Sequence, residues 1–167
     1  MSTIKKMTSL PFFCGEFNHS LDNQNRLAIP SQWRSGDGDE FVLFPGEEFI
    51  MLLPMQSFQD FLKKISKVSI ADRKAQLALA QIGAKVQQCK CDKQGRIKIT
   101  GQILGEADID YSVVMVGSFT NIQLWNPVRW EEINDISKDS LQQVEKISNT
   151  SSSVLDNFQS LLEKLTD

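Results

Sequence analysis

Two stretches of this sequence, 70 residues apart, repeat the same pattern of polar and apolar residues. DNQNRLAIP begins at Asp22 and DKQGRIKIT begins at Asp92, and they share the aspartate, a glutamine, an arginine and two apolar positions. A second match, offset by 72 residues, relates IMLLP at 50–54 to IQLWN at 122–126. An internal repeat of this length predicts two similar halves that share one core.

Each copy has the same predicted order of elements. A polar turn leads into a strand of alternating character, LAI or IKI, and a loop leads on to two apolar strands. These are FVLF and FIMLL in the first copy and YSVVMV and IQLW in the second, each pair followed by a helix near a proline. The helical pattern SIADRKAQLALAQIGA joins the copies, with Ser69 as its predicted N-cap and Asp72 in its first turn. The sequence therefore predicts an α+β protein with a mainly β core.

Both repeated turns contain a residue suited to a left-handed backbone. Gly95 takes a positive φ angle at no steric cost, and Asn25, at the matching place, tolerates that region best among residues with side chains. Asp22 and Asp92 open the two turns, where a carboxylate can accept hydrogen bonds from the backbone N–H groups just ahead. The pattern predicts two turns of one shape.

An arginine follows each turn aspartate by four residues, at Arg26 and Arg96. One interpretation is that both face a polyanion, because a guanidinium can bind guanine O6 and N7 together, worth about 1 to 3 kcal/mol of base discrimination. The other is that each arginine closes an ion pair with its own turn aspartate and holds the hairpin. Sequence spacing alone does not separate the two interpretations.

The net charge of −3 taken alone argues against a nucleic-acid partner, but the charge is unevenly distributed. Residues 60–100 carry 10 basic and 3 acidic side chains, whereas the segments on either side are net acidic. A basic middle can attract a polyanion even in an acidic protein. Lysines within the helical patterns of this segment fit exposed helix faces equally well. The basic residues that crowd around the second turn are Lys90, Lys93, Arg96 and Lys98.

Other classes of function find little support in the sequence. No apolar run approaches the roughly 20 residues needed to cross a bilayer, and the N-terminus lacks the features of a secretory signal. Three cysteines without a disulfide framework fit a reducing cytoplasm. No Gly-rich phosphate loop or recognisable nucleophile motif indicates an enzyme, so neither catalytic residues nor a cofactor are predicted.

A zinc site is the metal site with the best candidate ligands. His19 aligns with Cys89 in the repeat and Cys91 lies two residues further on, so these residues and Cys14 are candidates to gather around zinc. No pair has CxxC spacing, and cysteines at alternate strand positions more often fill one face as small apolar residues. No metal site is therefore predicted.

GEFNHSLDNQNRLAIPSQWR, at residues 15–34, resembles the opening signature of the MraZ family of bacterial proteins, which runs roughly GExxHxLDxKGRLxxPxxxR. CKCDKQGRIKIT resembles the second copy of that signature, and VVMVGSFTNIQLWNPVRWEE resembles the strands and the Trp-containing helix start that follow it. The resemblance covers about residues 12–135 in the same order. It implies two AbrB-like repeats of the swapped-hairpin type, which form one pseudo-twofold, barrel-like domain with flanking helices.

On this resemblance the first AbrB-like repeat is expected at residues 13–66, the second at residues 85–136 and a helical tail at residues 137–167. The acidic tail past Ser137 lies outside the resemblance. Its predicted helices rest on apolar spacing at Leu141, Val144, Ile147 and residues 154–165.

The resemblance also implies a DNA-binding transcriptional regulator of the division and cell wall gene cluster, cytoplasmic and associated with the nucleoid. Members of the family form rings that meet short G-rich direct repeats in double-stranded DNA, so a ring-shaped homo-oligomer is expected. The residues carried over as base contacts are Arg26 and Arg96. The other DNA-binding candidates are Arg34, Lys90, Lys93 and Lys98.

Departures from the family pattern leave a second function open. Asn25 replaces the usual glycine of the first turn, and Gln24 replaces the usual lysine before it. Leu104 stands in the second copy where the first copy has Arg34. The alternative to a regulator is an AbrB-like protein-interaction module, antitoxin-like or a scaffold, with weakened or lost DNA binding.

Overall fold

The computed structural model describes residues 11–36 and 38–149. The strands are β1 (Glu16–Ser20), β2 (Arg26–Ala28), β3 (Glu40–Pro45), β4 (Phe49–Pro54), β5 (Gln87–Lys90), β6 (Arg96–Lys98), β7 (Ser112–Gly117) and β8 (Ile122–Trp125). The helices are α1 (Met55–Ile65), α2 (Arg73–Gly83), α3 (Gly101–Glu106), α4 (Pro127–Ile133) and α5 (Lys138–Ser148), with a short 3-10 helix at Ser31–Trp33. The α+β class with a mainly β core and flanking helices is confirmed. The predicted helix at 154–165 lies outside the described residues.

Six strands form one antiparallel sheet in the order β1-β7-β8-β4-β3-β5, and β2 and β6 form a separate two-stranded ribbon. Each copy of the repeat places its first strand on the other copy, because β1 pairs with β7 and β5 pairs with β3. The last strands, β4 and β8, pair with each other at the centre. If the two copies are exchanged, the strand order of the sheet is the same read from its other end. Because strands of one copy pair with strands of the other, the sheet and the ribbon each require both halves of the chain.

One apolar core serves both copies. Leu27 and Ile97 stand opposite each other in the ribbon, and both are fully buried. Strand β4 shows the period-two burial of a half-buried strand. Strand β3 begins with exposed Glu40, and the three apolar residues that follow, Phe41, Val42 and Leu43, are all buried. The largest fully buried side chains of the sheet are Leu43, Ile50, Leu52, Met115, Ile122 and Leu124.

Helices α2, α3 and α5 begin at residues whose side chains cap the first turn. Asp72 is the N-cap of α2, since its carboxylate accepts a hydrogen bond from the Ala75 N–H at 3.0 Å. The prediction of Ser69 as this cap was wrong, because the Ser69 hydroxyl accepts instead from the Ala71 N–H, in the turn before the helix. Ser137 caps α5 through a capping box with Ser140. None of the helices in the described ranges is both long and apolar enough to span a bilayer.

The described residues fall into two compact units, divided between Trp130 and Glu131. The first unit contains both sheets and the whole apolar core. Within the second unit, helix α5 has its two half-buried apolar side chains at Leu141 and Val144, three residues apart on one helical face. The first unit therefore holds everything that positions the repeated turns.

Candidate nucleic-acid interface

The first repeated turn is organised around the carboxylate of Asp22. One of its oxygens accepts hydrogen bonds from the backbone N–H groups of Gln24 and Arg26, each at 2.9 Å. The other oxygen accepts from Arg26 Nε at 2.6 Å. Asn25, at φ 58°, occupies the left-handed region that the turn requires. The aspartate thus fixes both the backbone of the turn and the plane of the arginine that follows.

The second turn repeats this arrangement around Asp92. Its carboxylate accepts from the backbone N–H groups of Gln94 and Arg96 and from Arg96 Nε, all at 2.9 Å. Gly95, at φ 75°, takes the place of the asparagine, and Arg96 Nη2 donates a further hydrogen bond to Gln94 Oε1. The prediction of two turns of one shape is confirmed.

Hydrogen bonds stabilise the ionised form of both turn carboxylates. The backbone N–H of Arg26 is the main cause that lowers the pKa of Asp22 from 3.8 to about 2, with the Gln24 N–H and the Arg26 side chain adding to it. The backbone N–H of Arg96 likewise lowers the pKa of Asp92, helped by the Arg96 side chain. Both aspartates are therefore charged acceptors at neutral pH.

The two turns hold each other in place across the repeat. The Ile29 N–H donates to the Gly95 carbonyl at 2.9 Å, and the Ile99 N–H donates to the Asn25 carbonyl at 3.0 Å. Arg96 Nη1 also lies 3.7 Å from an Asp22 carboxylate oxygen. Each turn is thus fixed by backbone from the other copy, and the two arginines are brought to one ribbon.

The ribbon presents opposite chemistry on its two faces. Residues two apart on a strand share a face, and the register places Arg26 opposite Lys98 and Ala28 opposite Arg96. Leu27 and Ile97 turn to the core between them. Arg26 and Arg96 are diagonal neighbours on the outward face, with side chains 29% and 28% exposed. We call this face, made by Arg26, Ala28, Arg96 and Lys98, the basic ribbon face.

The ion pairs that the sequence left as one interpretation are present at both turns. For Arg26, Nε is the only side-chain nitrogen with a protein hydrogen bond among the described residues, so the N–H groups of both Nη atoms stay available to donate hydrogen bonds. Arg96 uses Nε on Asp92 and Nη2 on Gln94. Each aspartate therefore orients a guanidinium whose outer edge stays partly open to solvent, and hairpin support does not exclude recognition.

The lysine candidates lie in different places. Lys98 is exposed on the basic ribbon face, and Lys93 is exposed within the second turn. Lys90 is the last residue of β5, opposite Glu40 in the six-stranded sheet, and its Cε is close to Gly38. Only Lys93 and Lys98 are therefore on the ribbon or its turns.

Arg34, the remaining candidate, is not on the basic ribbon face. It follows the 3-10 helix, is half-buried and lies against Gly95 of the second turn. Its Nε is buried without a hydrogen-bond partner.

Two glutamines contribute to the site without having been predicted as site residues. Gln94 holds Arg96, and its match with Gln24 in the repeat was the available signal. Gln87 donates to the Lys98 carbonyl at 2.9 Å and accepts from the Thr100 N–H at 3.1 Å, which fixes the end of β6. Phe17 takes its place in the other copy, so the repeat carries no signal for Gln87.

The candidate zinc ligands are distributed over different environments. Cys14 is exposed, whereas Cys89 and Cys91 are buried in the apolar core. Burial raises the pKa of the Cys91 thiol to about 11, and burial together with Cys91 raises the pKa of Cys89 to about 12. His19 packs edge-on against Phe17. Within residues 11–36 and 38–149, no three potential metal ligands come together.

Two repeats exchange strands around one core, and their paired turns form a ribbon that is basic outside and apolar inside; these features define a class of tandem-repeat α+β proteins with a mainly β core. Comparison with known protein families identifies the family within that class to which the chain belongs. The family described as "MraZ protein, putative antitoxin-like" matches residues 12–81 and 83–149, so the chain belongs to the MraZ family. The second match runs to residue 149 and includes α5, so the expectation that the resemblance ends before Ser137 was wrong.

Curated relatives support the same assignment. A protein from Clostridium tetani is 32% identical over 81% of this chain and 96% of its own length. Proteins from Alkaliphilus metalliredigens and Clostridium acetobutylicum are each 30% identical, over 79% and 81% of this chain and 93% and 96% of their own lengths. All three are named "Transcriptional regulator MraZ". Those names agree with the prediction that the chain is not an enzyme.

Proposed function

We propose that this protein is a sequence-specific DNA-binding transcriptional regulator, and that the basic ribbon face meets G-rich direct repeats in double-stranded DNA. The observation that carries the proposal is the diagonal placement of Arg26 and Arg96 on one outward face, with Lys98 beside them and no acidic residue in the ribbon strands. Relatives that are similar over most of their length are named transcriptional regulators, which supports it. The division and cell wall gene cluster is the proposed target.

The aspartates make the arginines suited to reading bases. A guanidinium that is already oriented loses less side-chain entropy when it binds, so more of each hydrogen bond contributes to affinity. The Nη groups of Arg26 can then donate together to O6 and N7 of one guanine, and Arg96 can do so on exchanging its Gln94 contact for the base. The neighbouring carboxylates disfavour close approach of phosphate, which directs the arginines to bases.

Phosphate contacts are assigned to the lysines around the second turn. Lys93 and Lys98 are exposed on the turn and on the basic ribbon face, and both side chains can reach a backbone beside a bound groove. Lys90 lies at the edge of the larger sheet, where it can serve only a more distant phosphate. These contacts supply affinity without base preference.

The finer architecture is also a proposal. The pairing of β1 with β7, of β5 with β3, and of β2 with β6 is what two AbrB-like repeats of the swapped-hairpin type require. We place these repeats at residues 13–66 and 85–136 of a barrel-like, pseudo-twofold domain, and a helical tail at residues 137–167.

We further propose a ring-shaped homo-oligomer in the cytoplasm, associated with the nucleoid. Helix α2 has 11 residues and no buried side chain, and a helix that short is marginal in water without a packing partner. Leu77 and Ile82 are exposed on it, so a second copy is the proposed cover. Light scattering should show an oligomer for the wild type and a smaller species for Leu77→Glu with Ile82→Glu.

The regulator is tested by DNA binding at several salt concentrations, with DNA from just upstream of the protein's own gene. Fluorescence anisotropy should show steep salt dependence for the wild type, and Arg26→Ala or Arg96→Ala should each weaken preferred-site binding about 5- to 150-fold. Lys63→Ala with Lys64→Ala is the matched control, because it removes the same charge as the double arginine variant from exposed positions on α1.

The same assay separates the alternative function. Each ion pair between an arginine and its own aspartate also fits a structural role in a protein-interaction module. If the Arg26→Ala, Arg96→Ala double variant binds DNA as the wild type does, the interaction module is the better description. If the lysine control loses as much base preference as the arginine variant, the ribbon is not the reading surface.

A further inference from the structure

Arg34 and Gly95 come from different copies of the repeat, yet their atoms are in direct contact. A Cβ atom added at Gly95 would lie 2.2 Å from Arg34 Nη1, 2.5 Å from its Cζ and 2.7 Å from its Cδ. The arginine side chain therefore crosses the Cα atom of the glycine. Since real Cβ atoms do not make contacts this short, position 95 has room for a side chain only if Arg34 moves.

The two turns differ at this point. Asn25 has the same left-handed conformation as Gly95 and carries a side chain there. The second copy has Leu104 in the place of Arg34, and Leu104 is buried in the core. An asparagine in one turn and a glycine in the other are thus explained by the arginine that crosses the second turn. The φ angles alone, 58° and 75°, give no reason for the difference.

We propose that Arg34 is a positioning residue, which holds the second turn from the first repeat and so fixes Arg96. Gly95 immediately precedes Arg96, and its carbonyl accepts from the Ile29 N–H of the same copy as Arg34. The first copy therefore holds this glycine on two sides, by side chain and by backbone. Arg34 Nε is buried without a hydrogen-bond partner, so this nitrogen is not accessible to phosphate. The assignment rests on the proposed function, since Arg96 is the base contact that it serves.

A double-variant cycle tests whether the contact between Arg34 and position 95 controls DNA affinity. Gly95→Asn puts the residue of the first turn into the second, where it collides with Arg34, and we expect DNA affinity to fall more than about tenfold. Arg34→Ala in the same chain removes the collision and should restore most of that affinity. A double variant that binds DNA no better than Gly95→Asn alone would overturn the proposal, because the contact between Arg34 and position 95 would then not control affinity.

Single substitution at Arg34 provides a test that does not depend on Gly95→Asn folding. Arg34→Ala should reduce the preference for the upstream DNA over a scrambled duplex and leave the slope of log affinity against log salt unchanged. Loss of a phosphate contact would lower that slope by about 1 and leave base preference intact, which contradicts positioning.

Amide hydrogen exchange tests the contact without DNA. In Arg34→Ala, exchange should accelerate at Gly95 and Arg96 and stay unchanged at Asn25 and Arg26, which serve as an internal control. Unchanged exchange in both turns would overturn the positioning role even if the wild type binds DNA. Salt-insensitive binding by the wild type, with the expected exchange result, would reject the proposed function and leave Arg34 as the residue that holds the turn.

Discussion

Substitutions on the two faces of the ribbon should have different effects on stability, and Leu27→Ala, on the buried face, should have the larger effect. Leu27 is fully buried and stands opposite Ile97, which is also fully buried, so the alanine leaves a cavity that neither neighbour can fill without moving. Large-to-small changes at such positions cost about 2 to 5 kcal/mol. For a chain of 167 residues, this corresponds to a fall in melting temperature of about 4 to 20 °C.

Lys98→Ala is the matched control on the opposite face of the same ribbon. Lys98 is exposed and stands opposite Arg26, a like charge, so its removal should change stability by less than about 0.5 kcal/mol. Below the melting temperature of Leu27→Ala, DNA affinity should follow the reverse order. Leu27→Ala should bind like the wild type, whereas Lys98→Ala should lose a phosphate contact and lower the salt slope by about 1.

Tryptophan fluorescence during urea or thermal unfolding is the appropriate assay. The three tryptophans, Trp33, Trp125 and Trp130, all lie in the first compact unit, so the signal reports the unit that contains the ribbon. Protein concentration must be held constant, because an oligomer unfolds at a concentration-dependent temperature. If Leu27→Ala costs less than about 1 kcal/mol, or if Lys98→Ala costs as much, the assignment of an apolar inner face and a basic outer face is refuted.

Acid should weaken the folded state through Asp22, because folding lowers the pKa of this carboxyl group from 3.8 to about 2. The stabilisation from Asp22 is complete above the pKa of the unfolded state and is lost as the pH falls through the pKa of the folded state. Urea titrations from pH 5 to pH 2 should show a flatter profile for Asp22→Asn, and an equal profile would contradict the hydrogen bonding described for that turn. Iodoacetamide should alkylate exposed Cys14 in the native protein, but should alkylate Cys89 and Cys91 only in denaturant, because burial raises the pKa of both thiols. If mass spectrometry finds all three cysteines modified without denaturant, the burial of Cys89 and Cys91 is contradicted. Gly117→Ala should destabilise by about 3 kcal/mol or more, because its Cβ would lie 2.4 Å from the backbone nitrogen of Cys14, and an unchanged melting temperature would contradict that close approach.

The local elements could be predicted from the sequence because local chemistry decides them. The apolar runs FVLF, FIMLL and IQLW lie in β3, β4 and β8, and the aspartate, asparagine and glycine of the two turns specify left-handed turns. The N-cap of α2 was misplaced by three residues, because Ser69 and Asp72 are both good caps. Asp72 caps the helix because the Ser69 hydroxyl already accepts a hydrogen bond from the Ala71 N–H, in the turn before the helix.

The pairing of strands could not be predicted residue by residue. The sequence of β1 contains nothing that selects β7 over the neighbouring β2, and the exchange between copies arises from how the whole core closes. The place of Arg34 is unpredictable for the same reason, since its partner Gly95 lies 61 positions away in the other copy. Arg34 is a DNA-binding candidate by its place at the end of the signature motif, and nothing in the sequence indicates that its side chain crosses the second turn.

Duplication separates what the two copies must share from what they can vary. The inward pair Leu27 and Ile97 are both apolar because one core holds them, and neither copy can complete the sheet or the ribbon alone. Outward positions are free of this constraint and have diverged, since Ala28 matches Lys98.

This divergence gives the proposed DNA-binding surface a direction. The second turn carries Lys93 where the first has Asn23, so the outward faces of the two copies differ by two positive charges. A palindromic site offers two equal half-sites, and the two turns of one subunit, which differ in charge, cannot make the same contacts with both half-sites. A direct repeat presents the same orientation each time, and a subunit with unequal turns can bind every copy in the same way. The charge difference between the turns therefore favours direct repeats, and an operator rebuilt as an inverted repeat should bind more weakly than one rebuilt as a direct repeat with the same spacing.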